Sequence, residues 1–213
     1  MLYNLHTHQQ TVQNNVLEIV NQYPLEIIEP LPYFSVGIHP YHSHTLTAEY
    51  ELEIVSKNAQ KSNCLAIGEC GLDKKIDIPL DTQLKVFIAQ IKIAEYYNKP
   101  IILHCVSAYQ EIVEIKKKYK IQVPLIIHGF AKSSFPLAQN LIKQGFYLSF
   151  GKHLLVNDSL AEIFKNLPLD RCFLETDSTT NATINDIYKK AQAIKGLEVT
   201  EIITNNFKKV FNI

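Results

Sequence analysis

Short β-like runs alternate with amphipathic helical stretches from one end of the chain to the other, and that rhythm restricts it to folds built on a parallel sheet. Candidate strands fall at residues 2–6, 25–29, 34–38, 65–69, 101–104, 125–128, 146–150 and 172–175. Pro-Ile-Ile-Leu-His at 100–104 and Pro-Leu-Ile-Ile-His at 124–128 are continuous apolar runs, as expected of strands covered on both faces. Between the strands, Asp81 is placed to cap a helix whose Leu84, Phe87, Ile88, Ile91 and Ala94 recur at helical spacing. Ser134 precedes another helix with Pro136 in its first turn and Gly145 just past its end, and Thr200 with Glu201 opens a last one running to about Phe211. The expected fold is α/β, a TIM-type (β/α) barrel of about eight parallel strands with outer helices.

The 213 residues, 46% of them hydrophobic, suffice for one full core, and no linker or repeat interrupts the series, so residues 1–213 read as a single domain. Lys plus Arg and Asp plus Glu balance at 21 each, which excludes a net field drawing the molecule to nucleic acid, membranes or acidic surfaces. Any charge that matters is local, and Lys116 to Lys118 read as the solvated side of a helix. The first residues carry no basic stretch followed by an apolar run, and no apolar run approaches the roughly 20 residues a bilayer needs. Cys64, Cys70, Cys105 and Cys172 form no CxxC pair and read as reduced thiols, so the expected location is the cytoplasm.

Six candidate strands end in, or are followed at once by, a side chain suited to a divalent metal: His6 with His8, His39, Glu69, His104, His128, and Glu175 with Asp177. A parallel barrel directs the carboxyl ends of its strands to one face, so such residues converge there, and imidazoles and carboxylates are ligands that divalent transition metals accept. His6 and His8, two apart in an extended strand, share a face. His42 and His44 repeat that spacing, but in a polar loop beyond Pro40, and read as loop residues. Glu69 is the sharpest single case, because a carboxylate aimed inward from a buried strand is costly unless a cation or a hydrogen-bond network compensates it.

The same residues carry a family likeness. Leu-His-Thr-His, Val-Gly-Ile-His-Pro, Ala-Ile-Gly-Glu-Cys-Gly-Leu-Asp, Pro-Ile-Ile-Leu-His, Ile-Ile-His-Gly-Phe, Leu-Ser-Phe-Gly and Leu-Glu-Thr-Asp-Ser occur in order, and the chain resembles the TatD-like metal-dependent deoxyribonucleases of the amidohydrolase superfamily. The resemblance implies two divalent metal ions (Zn, Mn, Mg or Fe). His6, His8, Glu69 and Asp177 would hold one, Glu69, His104 and His128 the other, and Glu69 would bridge. It further implies DNA or nucleic-acid fragments as substrate, His39 and Glu175 close to the substrate phosphate, and Asp177 orienting or deprotonating the attacking water. Asn4 stands where family members usually carry Asp, and Tyr41 replaces a second His. The longer Arg-containing loop usual after Asp177 is absent, as is the Arg usual near His104, so phosphate-gripping cations are scarce. Two other readings stay open: a hydrolase of a small-molecule phosphate ester, amide or lactone, and a non-catalytic partner subunit that retains metal.

Overall fold

The computed structural model describes residues 1–11, 13–44 and 46–213. Eight strands follow one another in sheet order: β1 (Leu2–Thr7), β2 (Val16–Gln22), β3 (Phe34–Val36), β4 (Cys64–Asp73), β5 (Ile101–Val106), β6 (Leu125–Ile127), β7 (Phe146–Phe150) and β8 (Cys172–Leu174). The pairings are parallel, with Leu2 opposite Val16, Ile67 opposite Ile101, and Leu148 opposite Cys172. Thr7 forms a parallel bridge with Asp177, just past β8. Eight parallel strands in sequential order with intervening helices are the topology of the expected (β/α) barrel class. Among the described residues no helix is long and apolar enough to cross a membrane.

One strand differs from expectation. The run 25–29 is not extended: Pro24 opens a 3-10 turn over Pro24–Glu26, Leu25 and Ile28 are 56% and 68% exposed, and the Ile28 N–H is bound by the Gln22 side chain at 2.8 Å. The strand is Val16–Gln22 instead, whose last five residues are buried. Helix starts shift slightly. Asp81 lies in the first turn of α2 (Leu80–Tyr97), after α1 (Ala48–Ala59), and Pro79 takes the cap position. Past α3 (Tyr109–Tyr119), α4 (Phe135–Lys143) begins after Ser134 as expected.

Contacts group the chain into two compact units, Met1–Val20 with Ile127–Ile213, and Asn21–Ile126. In the first, α5 (His153–Val156), α6 (Asp158–Asn166), α7 (Ile184–Lys195) and α8 (Val199–Phe211) join α4. Its core is aromatic: Phe150 meets Phe130 and Phe164 at centroid distances of 5.9 and 5.0 Å, and Phe207 meets Tyr3 and Phe211 at 4.7 and 4.5 Å. Such pairs add roughly 0.5–1.5 kcal/mol each beyond the area they bury. The Tyr188 hydroxyl fastens α7 to β1, accepting from the Tyr3 N–H at 3.2 Å and donating to the Tyr3 carbonyl at 3.0 Å.

In the second unit, β4 is buried along all ten residues. Its glycines permit a close approach to β5. A Cβ on Gly71 (φ +146°) would lie 2.1 Å from the His104 carbonyl oxygen, and one on Gly68 (φ +145°) 2.5 Å from that of Ile102. Helix α2 buries Gln83 and Gln90 among Val86, Phe87, Ile91 and Ala94. Each glutamine clamps a backbone. Gln90 accepts from the Ile38 N–H at 2.7 Å and donates to the Ile38 carbonyl at 3.1 Å, while Gln83 does the same at Asp73, at 2.8 and 2.9 Å. Two glutamines seven residues apart on one helix thereby fix the chain beside His39 and the end of β4.

All four cysteines are buried, and none is in a disulfide among the described residues. Burial pushes the Cys64 and Cys172 thiols up to about 12 and raises Cys70 as well. At pH 8 the thiolate fraction of Cys64 and Cys172 is then on the order of 10⁻⁴. Iodoacetamide is expected to leave the native protein essentially unlabelled at pH 8 and to label all four positions once urea unfolds it, as mass spectrometry would read directly.

Candidate metal centre

Unit Met1–Val20 with Ile127–Ile213 gathers one group of metal-binding side chains. The Nε2 atoms of His6 and His8 lie 3.7 and 3.4 Å from Asp177 Oδ1, and the ligand atoms of all three lie within 4.8 Å of one another. Two backbone hydrogen bonds seat Asp177 there, from its N–H to the His6 carbonyl at 2.9 Å and from the His8 N–H to its carbonyl at 3.3 Å. Asp177 also adopts a left-handed backbone (φ 55°), which Asp tolerates better than most residues. Beneath it the Asn4 amide pairs reciprocally with Thr176, donating to Thr176 Oγ1 at 2.8 Å and accepting the Thr176 N–H at 3.0 Å. Asn at position 4 thus serves as a two-way connector; a carboxylate could only accept.

His128 stands beside His6 at a ring distance of 4.5 Å, and its Nδ1 is 3.4 Å from Glu175 Oε1. An ionised carboxylate only accepts, so in that contact Nδ1 is the donor and Nε2 is the nitrogen suited to a metal. Glu175 has no solvent exposure. Its Oε1 also accepts the Gly129 N–H at 2.7 Å, whereas Oε2 is buried without a hydrogen-bond partner among the described residues. An orphaned oxygen on a buried carboxylate calls for positive charge nearby.

Unit Asn21–Ile126 gathers a second group, His39, Glu69 and His104. Glu69, 3% exposed, places Oε1 2.7 Å from His104 Nδ1 and 3.2 Å from His39 Nε2. Its backbone N–H is held by Asn21 Oδ1 at 2.7 Å. His104 Nε2 faces Asp73 Oδ2 at 3.1 Å, so that with its proton on Nε2 the ring turns a lone pair on Nδ1 toward Glu69. In that tautomer Nδ1 and Glu69 Oε1 are two acceptors 2.7 Å apart, which His39 Nε2 faces at 3.1 and 3.2 Å and which a divalent cation between them would satisfy. The donor chemistry and this clash both fit a divalent ion.

His39 behaves differently from its neighbours. Its Nδ1 accepts the Tyr41 N–H at 3.2 Å, so the neutral ring carries its proton on Nε2, 3.1 Å from His104 Nδ1. A protonated Nε2 is a hydrogen-bond donor and not a ligand atom. His42 and His44 are exposed and belong to neither group.

Residues 2–212 match the family model described as TatD related DNase. The chain belongs to the TatD family. It is 30% identical over 210 residues to the uncharacterized metal-dependent hydrolase YabD of Bacillus subtilis, covering 89% of this chain and 82% of YabD. The human 3'-5' RNA nuclease TATDN2 is 29% identical over 156 residues, 70% of this chain and 20% of that protein. A TatD homologue of Escherichia coli K12, 22% identical, superposes with a TM-score of 0.78 over 92% of this chain and 86% of its own, which shows the shared fold. As a TatD family member the protein is a metal-dependent hydrolase.

Within this TatD protein, sequence reasoning singled out the donors themselves but not the residues that aim them. Asp73, Gln83, Gln90 and Asn21 do not stand out in the sequence as functional groups, although glutamines at core-facing positions of α2 are a readable signal. Asp73→Asn tests the arrangement. An Asn amide directed at His104 Nε2 would donate instead of accept and move the ring proton to Nδ1. Divalent-cation affinity is expected to fall about 10- to 100-fold, with the melting temperature of the chelated protein little changed. Calorimetric titration of purified protein with Mn²⁺ or Zn²⁺ checks this.

Proposed function

We propose that this TatD family hydrolase cleaves phosphodiester bonds of DNA, using two divalent ions. The observation that carries the reading is the clustering of His, Glu and Asp donors brought together from positions distant in sequence. His6, His8 and Asp177 would hold one ion, Glu69 and His104 the other, and His128 would add a further imidazole nitrogen. Such ions, when bound, lower the pKa of water and stabilise charge on attacking and leaving oxygens. The choice among Zn²⁺, Mn²⁺, Mg²⁺ and Fe²⁺ follows availability as much as ligand type.

The chain's own groups do the remaining work. Asp177, half-buried at a side-chain exposure of 28%, orients the attacking water and accepts its proton. His39 offers its Nε2–H to a phosphate oxygen, as its tautomer requires. Glu175 is a positioning residue on this reading: fully buried, it fixes His128 and the Gly129 N–H. Residues 1–213 act as one hydrolase domain, and four buried thiols suit the reducing cytoplasm.

The test is hydrolysis of end-labelled single-stranded DNA by purified protein with Mg²⁺ or Mn²⁺, with RNA of the same sequence in parallel. Asp177→Asn is expected to lower the DNA rate at least about 100-fold. Full activity in that variant would remove Asp177 from the chemistry, and turnover of RNA alone would reassign the substrate.

A further inference from the structure

Unit Asn21–Ile126 carries a cavity of about 190 Å³ bordered by two 3-10 turns, Pro24–Glu26 and Pro40–His42, and by the first turn of α1. It brings together two sequence features that the metal centre leaves unused, the apolar run 25–29 and His42. Pro24, Leu25 and Ile38 give it apolar surface, and the rings of Tyr23 and His42, edge to face at 5.6 Å, give it aromatic surface. Glu26 and Glu51 bring two carboxylates, and the lining holds no Lys or Arg. Glu51 is only 3% exposed, and its Oε1 accepts the Thr47 hydroxyl at 2.7 Å. The N-terminus of α1 favours a carboxylate at Glu51, but it gives no reason for a second one in the same largely apolar cavity.

We infer that this cavity binds an organic cation, a primary ammonium on a short aliphatic stem, as carried by a free diamine or by a lysine side chain of a partner protein. An anion would meet two carboxylates and no positive charge. A metal ion does not fit either: among the described residues, the groups whose donor atoms all lie within 4.8 Å of one another do not include Glu26, His42 and Glu51, a spacing too wide to share one ion. An ammonium offers three donors to carboxylates and is drawn to aromatic faces, while its methylenes lie along Pro24, Leu25 and Ile38. The volume is below the roughly 300 Å³ at which drug-sized sites begin, which suits a single chain and not a ring system. The inference holds whichever bond the metal centre hydrolyses. The site is nonetheless joined to that centre, because the His42 N–H donates to the His39 carbonyl at 2.8 Å and the two rings stand 6.5 Å apart.

The test is titration of the purified protein with 1,5-diaminopentane and, separately, with Nα-acetyl-lysine amide, followed in ¹H–¹⁵N spectra. Saturable shifts are expected near residues 23–26, 38, 42 and 51. 1-Pentanol, which has the same stem without the charge, is expected to give none there. Glu26→Gln and Glu51→Gln each remove one carboxylate charge and are expected to weaken the amine about fivefold or more. Glu26 is exposed, so its substitution keeps the test decisive even if the buried Glu51→Gln variant unfolds. Tighter binding of the lysine amide assigns the ammonium to a protein side chain, and tighter binding of the diamine assigns it to a free amine. Shifts confined to the metal-binding residues, equal shifts from 1-pentanol, no saturable shifts with either amine, or unchanged affinity in Glu26→Gln overturns the assignment.

Discussion

Glu69→Gln is expected to lower kcat/KM for phosphodiester substrate by about 10²–10³-fold or more, the scale seen when one preorganised charge-stabilising group is lost. Glutamine keeps the shape and one acceptor oxygen but removes the charge that His39 and His104 face at 3.2 and 2.7 Å. Metal content measured by elemental analysis should fall with activity. The melting temperature in chelator should stay level or rise, because a buried carboxylate without its cation is itself destabilising. That opposition separates loss of the centre from loss of the fold. Retention of full activity and full metal content in Glu69→Gln would remove the centre from any role in catalysis.

Gly71→Ala is the largest expected effect on stability. The new Cβ would sit 2.1 Å from the backbone oxygen of His104 at a φ of +146°, so neither a rotamer change nor a flexible neighbour can relieve it. Strand β4 must move off β5 or the backbone must change region, at about 3–5 kcal/mol. For a chain of this size that corresponds to a fall of roughly 10 °C in melting temperature. Glu69 belongs to the displaced strand and faces His104 of β5 at 2.7 Å, so divalent-cation affinity should fall as well. A thermal scan within 2–3 °C of the parent would refute the close approach of the two strands.

These two glycine and glutamate positions show how differently parts of the Gly-Glu-Cys-Gly-Leu-Asp segment speak in the sequence. Glu69 announces itself, because a carboxylate at the end of Leu-Ala-Ile-Gly has few bland explanations. The reason for Gly71 is invisible until β5 is placed against it, since the atom that excludes a side chain belongs to His104. Asp73 closes that segment, and its part shows only when its oxygen is found facing His104 Nε2. Likewise the apolar spacing of α2 is legible, yet its buried face is turned so that Gln83 and Gln90 point inward and grip Asp73 and Ile38.

The fold class and the donors at the strand ends follow from short-range pattern. Apolar runs of strand length, helical spacing between them and a His, Glu or Asp at each run's end are properties of neighbouring residues, so they survive without coordinates. Only the tertiary structure decided that Val16–Gln22 pairs as a strand while the more apolar 25–29 run turns at Pro24 into solvent. It alone shows which hydrogen-bonding group faces each of His39, His104 and His128. Strand pairing and tautomer depend on which distant hydrogen-bonding group arrives opposite, as the contacts of Leu2 with Val16, His104 with Asp73 and His128 with Glu175 show, and no local pattern encodes that arrival.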